Sequence, residues 1–338
     1  MSTLPNILTT GAMATTLKIS VERWPIAGSF TIARGSKTEA VVVVAELADG
    51  AAIGRGECVP YARYGETVES VSAALEGIRD VLAGPDPRAA AKALPAGAAR
   101  NALDCALWDL EAKRTGKPAY ELAKLPAPRA LTTAYTLSLG TPEAMASAAA
   151  AARDRPLLKI KLGSDGDPER LAAIRAAAPQ SELIVDANEG WRADNLEGNL
   201  AACVAAGVTL VEQPLHASDD APLQGWDGPV AICADESVHD RASLAGLVGR
   251  YTAVNIKLDK TGGLTEALAM AAEAERLGFS IMVGCMLATS LSMAPAMLVA
   301  QRAKVVDLDG PLLLQRDRPH GLVYRGSIVE PPTRELWG

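Results

Sequence analysis

The feature that most constrains the fold is a repeat that begins near residue 130. From there, short apolar segments that read as strands alternate with alanine-rich segments that have helical spacing. The strand candidates recur roughly every 25 residues, which is the length of one strand–helix unit. The eight candidates are TTAYTLSLG, LLKIKLG, LIVDANEGW, TLVEQPL, VAICADES, AVNIKLDK, SIMVGCML and KVVDLDG. A repeat of this kind predicts parallel β/α units, and eight such units predict a closed barrel.

The chain before this repeat has a different pattern. Residues 16–58 read as a small antiparallel meander, in which TLKISVERW alternates, TEAVVVVAELADG ends in an Asp-Gly turn signal, and AAIGRGECVP follows as its partner. Residues 66–125 are rich in alanine and leucine with helical spacing. The clearest helix, AGAARNALDCALWDLEAKRTGK, places on one side Ala99, Leu103, Ala106, Leu107 and Leu110.

These patterns predict an α/β protein built on a modified TIM barrel of the form (β/α)7β. We expect an α+β domain over residues 1–128 and the barrel over residues 129–310. The last strand candidate is followed by a proline-rich tail without an obvious eighth helix. We expect this tail, residues 311–338, to return to the first domain and complete it.

Composition narrows the setting in which the protein works. Hydrophobic residues make up 49% and charged residues 22% of the chain, enough for a sizeable core. The net charge of -7, with no run of Lys and Arg, argues against a nucleic acid partner. No apolar run reaches the ~18 residues of a membrane span, and MSTLPNILTTGAMATTLKISVERW lacks the pattern of a signal peptide. We therefore expect a soluble cytoplasmic protein.

The cysteines agree with a reducing compartment. The chain has five, Cys58, Cys105, Cys203, Cys233 and Cys285, and no two are spaced as a zinc clip or a redox motif. We expect buried free thiols.

Charged residues recur at the ends of the strand candidates, where a β/α barrel forms its active site. They are Lys159, Lys161, Asp186, Glu212, Asp235, Lys257, Asp307 and Asp309. Singly, each has a structural explanation, because a strand-end aspartate often caps the next helix and a lysine there is usually solvated. Together, they would converge in the barrel mouth, where adjacent carboxylates repel one another unless a cation binds them.

The arrangement predicts acid–base chemistry beside a metal ion. Oxygen ligands from Asp186, Glu212 and Asp235 suit Mg²⁺. Lys161 lies beside Lys159 on one strand, and positive neighbours and burial lower a lysine's pKa towards the range useful for proton transfer. Lys257 comes four strands later, across the barrel. Two such bases on opposite sides of one carbon could remove a proton from one face and return it to the other.

These residues carry a family resemblance over nearly the whole chain. KIK, VDANEGW, VEQP, ADES and NIKLDKTGG, in this order, resemble the enolase superfamily and its muconate-lactonizing subgroup, in particular the dipeptide epimerases. IARGS, GECVPYARYGE and PAGAARNALDCALWDL extend the resemblance into the first domain, which in this family caps the barrel.

The resemblance implies a role for each matching residue. Asp186, Glu212 and Asp235 would bind Mg²⁺, Lys161 and Lys257 would be the two acid–base catalysts, and Lys159 would contact the substrate carboxylate. Asp307 and Asp309 would bind the ammonium group of a dipeptide, and Arg34 would meet a glutamate side chain. The implied substrate-lining positions are Thr136 and Cys285. At the position of Cys285, relatives have serine. The implied substrate is L-Ala-D/L-Glu from bacterial murein, and assembly as a homo-oligomer is left open.

Two alternative functions remain at this stage. The same machinery could serve a cycloisomerase or an o-succinylbenzoate synthase type of reaction, whose substrates carry no ammonium group for Asp307 and Asp309. A binding barrel without turnover would require an essential group to be missing, and the metal and lysine positions are all filled. Tyr61, Arg63 and Tyr64 could form part of a lid or an exposed loop, and no role is assigned to them.

Overall fold

The computed structural model describes residues 15–163 and 165–338. The first part of the segment in which we expect no signal peptide, residues 1–14, lies outside the described residues. None of the described helices combines the length and the apolar character that a membrane crossing requires.

The first domain begins with the predicted antiparallel meander. Its sheet has the order β1–β2–β3, formed by β1 (Thr16–Ile32), β2 (Gly35–Asp49) and β3 (Ala52–Cys58). Five helices follow: α1 (Val68–Gly77), α2 (Arg79–Leu82), α3 (Pro87–Ala93), α4 (Ala98–Thr115) and α5 (Ala119–Leu122). The apolar core of this domain lies between the sheet and α1 to α4.

Helix α4 packs unusually close to strand β3. A Cβ atom added to Gly54 or Gly56 would overlap the backbone of α4 at Leu110 and Ala102, so only glycine permits this approach. The predicted apolar side is buried except for Ala99, which is partly exposed. Three polar residues on the other side, Asn101, Asp104 and Asp109, are buried as well, because α4 lies between the sheet and the barrel.

The second part of the chain is the predicted barrel. Its eight parallel strands run in sequence order around the sheet. They are β5 (Tyr135–Leu137), β6 (Leu157–Lys161), β7 (Glu182–Asp186), β8 (Val208–Glu212), β9 (Ala231–Ala234), β10 (Ala253–Ile256), β11 (Ser280–Gly284) and β12 (Val305–Asp307), preceded by the short β4 (Leu131–Thr132). The helices are α6 (Pro142–Ala151), α7 (Asp167–Ala177), α8 (Leu196–Ala205), α9 (Arg241–Leu244), α10 (Leu258–Thr261), α11 (Leu264–Arg276) and α12 (Ser290–Ala300).

The barrel is nearly closed. The first and last strands meet through a hydrogen bond of 2.8 Å from the amide of Ala134 to the carbonyl of Val306, and the amide of Leu308 donates to the hydroxyl of Thr133. After β8 the described chain forms only a short 3-10 turn, Ala221–Leu223, in place of a full helix. Pro222 and the glycines that follow explain the interruption. The predicted barrel architecture is confirmed.

The inside of the barrel is built in layers. Seven strands and the residue just before β5 each contribute one apolar side chain to a buried ring: Ala134, Leu157, Ile184, Leu210, Cys233, Ala253, Met282 and Val305. Because successive side chains of a strand alternate between faces, the residues two and four positions further on also point inward. The charged residues identified in the sequence occupy these next layers, above the ring.

The C-terminal segment contacts both parts of the molecule. Two short strands, β13 (Tyr324–Arg325) and β14 (Ile328–Val329), form a sheet with β4. At the end of the chain, the indole nitrogen of Trp337 donates to the carbonyl of Cys105 at 3.0 Å, and the amide of Gly338 donates to Asp109 at 2.8 Å. Both acceptors belong to α4 of the first domain.

Candidate active site

Three carboxylates meet at the carboxyl ends of consecutive strands. Asp186, Glu212 and Asp235 follow one another on β7, β8 and just after β9, and all three are buried. One oxygen atom from each lies within 4.8 Å of the others. A donor set made only of carboxylate oxygens fits a hard divalent cation such as Mg²⁺, so these residues have the chemistry of a magnesium site.

Lysines surround this acidic triad on both sides. The Nζ atom of Lys161 lies 2.6 Å from an oxygen of Asp186, and that of Lys257 lies 2.7 Å from an oxygen of Asp235. Lys161 ends β6 and Lys257 directly follows β10, four positions further around the eight-stranded barrel. The two amines therefore approach the triad from opposite sides.

Lys159 lies deeper than Lys161 and is almost fully buried. Its Nζ atom lies 2.6 Å from Glu212, 2.8 Å from Asp307 and 3.2 Å from Asp186. The predicted pairing of Lys159 with Lys161 on one strand face is correct. Its charge, however, is compensated by three acidic residues on other strands.

The pKa values reflect these ion pairs. Burial favours the neutral amine, but the surrounding carboxylates outweigh it and raise the pKa of both Lys159 and Lys257 well above the usual value. Burial also opposes ionisation of Asp186, yet Lys161 and Lys159 lower its pKa. For Glu212, burial and the charge of Asp186 raise the pKa to about 7. The sequence predicted a lowered lysine pKa on the assumption that a cation is bound to the triad. Without the cation, the carboxylates of the protein raise the pKa of Lys257 instead.

The two aspartates of the last barrel strand lie in the same pocket. An oxygen of Asp309 accepts a hydrogen bond of 2.6 Å from the amide of Thr136, while Oδ1 of Asp307 is buried without a hydrogen-bond partner among the described residues. Burial and the charge of Asp307 raise the pKa of Asp309 to about 7. The residues that line this pocket are Phe30, Thr136, Lys159, Lys161, Lys257, Cys285, Met286, Leu287, Asp307, Asp309, Gly310 and Leu313.

Arg34 reaches the barrel mouth from the turn between β1 and β2. Its guanidinium donates to the carbonyl of Asn188 at 2.8 Å, to Glu236 at 2.6 Å and to the hydroxyl of Tyr61 at 3.0 Å. Although burial disfavours the charged form, Glu236 and Tyr61 raise the pKa of Arg34. Arg34 therefore lies against the loops that follow β7 and β9, and it does not line the pocket that contains Thr136, Lys159 and Asp307.

The unassigned residues of the PYARYGE segment also face the barrel. Arg63 forms a two-pronged ion pair with Glu189, with both distances 2.7 Å. Tyr64 packs edge-on against His239, with the ring centroids 4.8 Å apart. Of the two interpretations left open in the sequence, the contacts favour a lid.

Sequence reasoning missed two residues that contact the triad. Asn255 donates to Glu212 at 2.6 Å, and Lys260 donates to Asp235 at 2.5 Å. A signal for Asn255 was present, because it precedes Lys257 by two and so shares its strand face. Gly284 leaves the space, since a Cβ there would lie 2.8 Å from the Asn255 amide. Lys260 had no such signal, because it lies beyond the strand in α10.

Comparisons with known proteins agree with this geometry. Residues 143–335 match the family profile described as enolase C-terminal domain-like. Residues 14–123 match the N-terminal domain of mandelate racemase and muconate lactonizing enzyme.

Two relatives align over most of their length. An L-Ala-D/L-Glu epimerase of Escherichia coli K12 is 49% identical over 305 residues, covering 89% of this chain and 95% of the relative. An N-acetyl-D-glutamate racemase of a Pseudoalteromonas species is 45% identical over 300 residues, covering 88% and 95%.

Solved structures extend the comparison to the fold. An enolase family member from Agrobacterium tumefaciens, with bound sodium and L-Ala-L-Glu, has a TM-score of 0.94 at 56% identity and covers 96% of this chain and 100% of its own. A dipeptide epimerase from Enterococcus faecalis, in complex with Mg and L-Leu-L-Tyr, has a TM-score of 0.88 at 28% identity, with 94% and 97% covered. The chain belongs to the enolase superfamily, in the branch of mandelate racemase and muconate lactonizing enzyme.

Proposed function

We propose that this protein is a magnesium-dependent L-Ala-D/L-Glu epimerase, an isomerase that inverts the α-carbon of the C-terminal residue of a dipeptide. The observation that carries the proposal is the placement of Lys161 and Lys257 on opposite sides of one acidic triad. The relatives that act on or bind Ala-Glu dipeptides support the substrate.

The metal would be held by Asp186, Glu212 and Asp235. Mg²⁺ was bound with a dipeptide in the Enterococcus faecalis relative, which supports the same ion here. When bound, a divalent cation supplies Lewis-acid stabilisation of the negative charge that develops on the substrate carboxylate as the α-proton leaves. The cation would also compensate the negative charge of the triad carboxylates, which the lysines now balance. The lysine amines would then be free for proton transfer.

In this scheme the two lysines exchange roles with the direction of the reaction. One amine, in its neutral form, takes the α-proton from one face of the substrate and gives an enediolate. The opposite ammonium then donates a proton to the other face. Lys159, already held by Glu212 and Asp307 at 2.6 and 2.8 Å, would place its ammonium near the substrate carboxylate.

The remaining charges match the other groups of Ala-Glu. Asp307 and Asp309 would receive the ammonium group, since Oδ1 of Asp307 is buried and accepts no hydrogen bond from the described residues. Arg34 would bind the glutamate side chain, for which its planar fork is well suited. Thr136 and Cys285 line the pocket and would contact the dipeptide between these charged ends.

A second candidate function is racemisation of an N-acylated amino acid. The relative that is 45% identical is an N-acetyl-D-glutamate racemase, and its substrate has no ammonium group. In the structure, Asp307 already pairs with Lys159 and Asp309 with the amide of Thr136. The substrates of the cycloisomerase and o-succinylbenzoate synthase reactions also have no ammonium group.

Deuterium uptake separates the two candidates. The enzyme with Mg²⁺ in D₂O should label the α-carbon of L-Ala-L-Glu, yield both epimers, and label N-acetylglutamate much more slowly. The Asp309→Asn variant should lose the dipeptide reaction, because it weakens binding of the ammonium group. Faster labelling of N-acetylglutamate, with Asp309→Asn unaffected, would favour the second candidate, and no labelling of any dipeptide would reject the first.

We further propose a setting and a domain organisation. The substrate would come from murein peptides, and the five free cysteines support a reducing, cytoplasmic environment. The contacts of Trp337 and Gly338 with α4 support the boundaries 1–128, 129–310 and 311–338, with the last segment completing the capping domain. Assembly as a homo-oligomer is compatible with this organisation.

A further inference from the structure

Glu189 joins four separate parts of the molecule. It lies in the loop after β7, and its side chain is only 4% exposed. Its carboxylate accepts two hydrogen bonds of 2.7 Å from Arg63, one of 2.9 Å from the amide of Ala217, and one of 3.3 Å from Arg34. The two arginines come from separate segments of the capping domain, whereas Ala217 comes from the loop after β8.

The loop that carries Glu189 has an unusual backbone. Asn188 and Glu189 both have positive φ angles, 47° and 66°. Residues other than glycine adopt this region rarely, and they keep it only where surrounding contacts hold them. The hydrogen bonds of the Glu189 side chain supply such contacts. The same conformation presents the carbonyl of Asn188 to Arg34 at 2.8 Å.

Arg63 and Arg34 share Glu189 as a partner, although the shortest hydrogen bond of Arg34, 2.6 Å, goes to Glu236. Arg63 fixes the Glu189 carboxylate with a fork of two hydrogen bonds, and Arg34 contacts both that carboxylate and the carbonyl beside it. On the capping side, the loop of Arg63 is anchored by Glu66, which accepts from the amides of Tyr61 at 3.1 Å and Ala98 at 2.7 Å. The path from the capping domain to the barrel is continuous.

We propose that Arg63 and Glu189 form a clasp that fastens the capping loop over the barrel mouth and positions Arg34 to select a dipeptide with an acidic side chain. Both members of the clasp are positioning residues for specificity. The choice of substrate rests on the proposed function, but the clasp itself rests on the contacts alone.

Kinetics of the full-length enzyme with Mg²⁺ test the role in selection. In Arg63→Ala and Glu189→Ala, KM for L-Ala-L-Glu should rise about tenfold while kcat stays within about threefold, since the lysines are untouched. Affinity for the isosteric L-Ala-L-Gln, measured as competitive inhibition, should change by less than about twofold. Arg63→Lys should fall in between, because it keeps the charge but loses the fork.

Arg241→Ala is the matched control. Arg241 forms an equally two-pronged pair with Glu266, at 2.8 and 3.0 Å, outside the candidate site. The Arg241→Ala variant should have the KM and kcat of the wild type. An equal loss of affinity for L-Ala-L-Glu and L-Ala-L-Gln in the clasp variants, or a fall in kcat alone, would contradict the proposal.

Hydrogen–deuterium exchange of residues 59–66 tests the clasp without any substrate. Exchange should be about tenfold faster in Arg63→Ala and Glu189→Ala than in the wild type, and unchanged in Arg241→Ala. If the wild type turns over no dipeptide, the proposed function fails while this measurement still decides the clasp. Unchanged exchange in both clasp variants would overturn it.

Discussion

At the scale of single residues, the candidate site is a balance of charges in a buried space. Lys159, Lys161, Lys257 and Lys260 each lie within 2.7 Å of a carboxylate of the acidic triad. Such pairs are costly to break from one side, because the partner is left buried and uncompensated. Substitution at any of these positions should therefore be read with a measure of folding beside the measure of activity.

Replacing the proposed bases one at a time tests the two-base scheme. Lys161→Ala and Lys257→Ala should each lower epimerisation at least ~10³-fold, in the range that acid–base groups contribute. Each variant should still exchange the α-proton of one stereoisomer, because the other lysine is intact on its face. Proton exchange followed by NMR, with circular dichroism to establish folding, measures both effects. Normal epimerisation by both variants would refute the scheme.

The sequence predicted these residues to the extent that they follow strand alternation. Lys159, Lys161 and Asp186 could be placed on an inward face because side chains two apart share a face. The clasp could not be predicted in this way, because Arg63 and Glu189 are 126 residues apart and belong to different domains. Nor does strand pattern show that Lys159 is surrounded by carboxylates, since these come from three other strands.

At the scale of elements, the contact between β3 and α4 decides how the capping domain is built. The sequence indicated both elements, with apolar residues on one side of α4. Burial of Asn101, Asp104 and Asp109 on its other side was not predicted, because it depends on the barrel and the C-terminal tail. The side-chain amide of Asn101, for example, donates to Asp259 of α10 at 2.8 Å.

Adding one methyl group at this contact tests its tightness. Gly56→Ala should destabilise the protein by about 3 kcal/mol, because the new Cβ meets backbone that has no room to move away. Gly77→Ala at the end of α1 is the control, since a Cβ there meets nothing within 4 Å. Urea unfolding measures both. Equal stability of the two variants would show that the sheet and helix can separate without cost.

At the scale of the whole molecule, the C-terminal end of the described chain is tied to α4 of the capping domain. Trp337 is only 2% exposed, and its ring lies against the capping domain although it is almost the last residue. A proline-rich tail without a helical pattern predicted a return to this domain, but no residue pattern identified the partner. The position of the indole depends on a groove made by residues that lie far away in sequence.

Truncating the side chain of Trp337 should lower the stability of the entire protein. Trp337→Ala should lower the free energy of unfolding by about 4 kcal/mol, as expected for loss of a buried indole. Arg334→Ala in the same tail is the control, because Arg334 is exposed and its side chain donates to the backbone carbonyl of Lys113. Thermal unfolding followed by fluorescence would compare them. A change below about 0.5 kcal/mol for Trp337→Ala would mean that the tail is dispensable.

The ring of apolar residues beneath the charged layer gives the site a dry floor. Substrate therefore enters and product leaves on the capped side, so each turnover uses the same opening of the barrel twice. Protons from solvent reach the lysines through that opening as well. How often the capping loops open would thus limit both the pace of product departure and the rate at which solvent hydrogen replaces the proton left on a lysine.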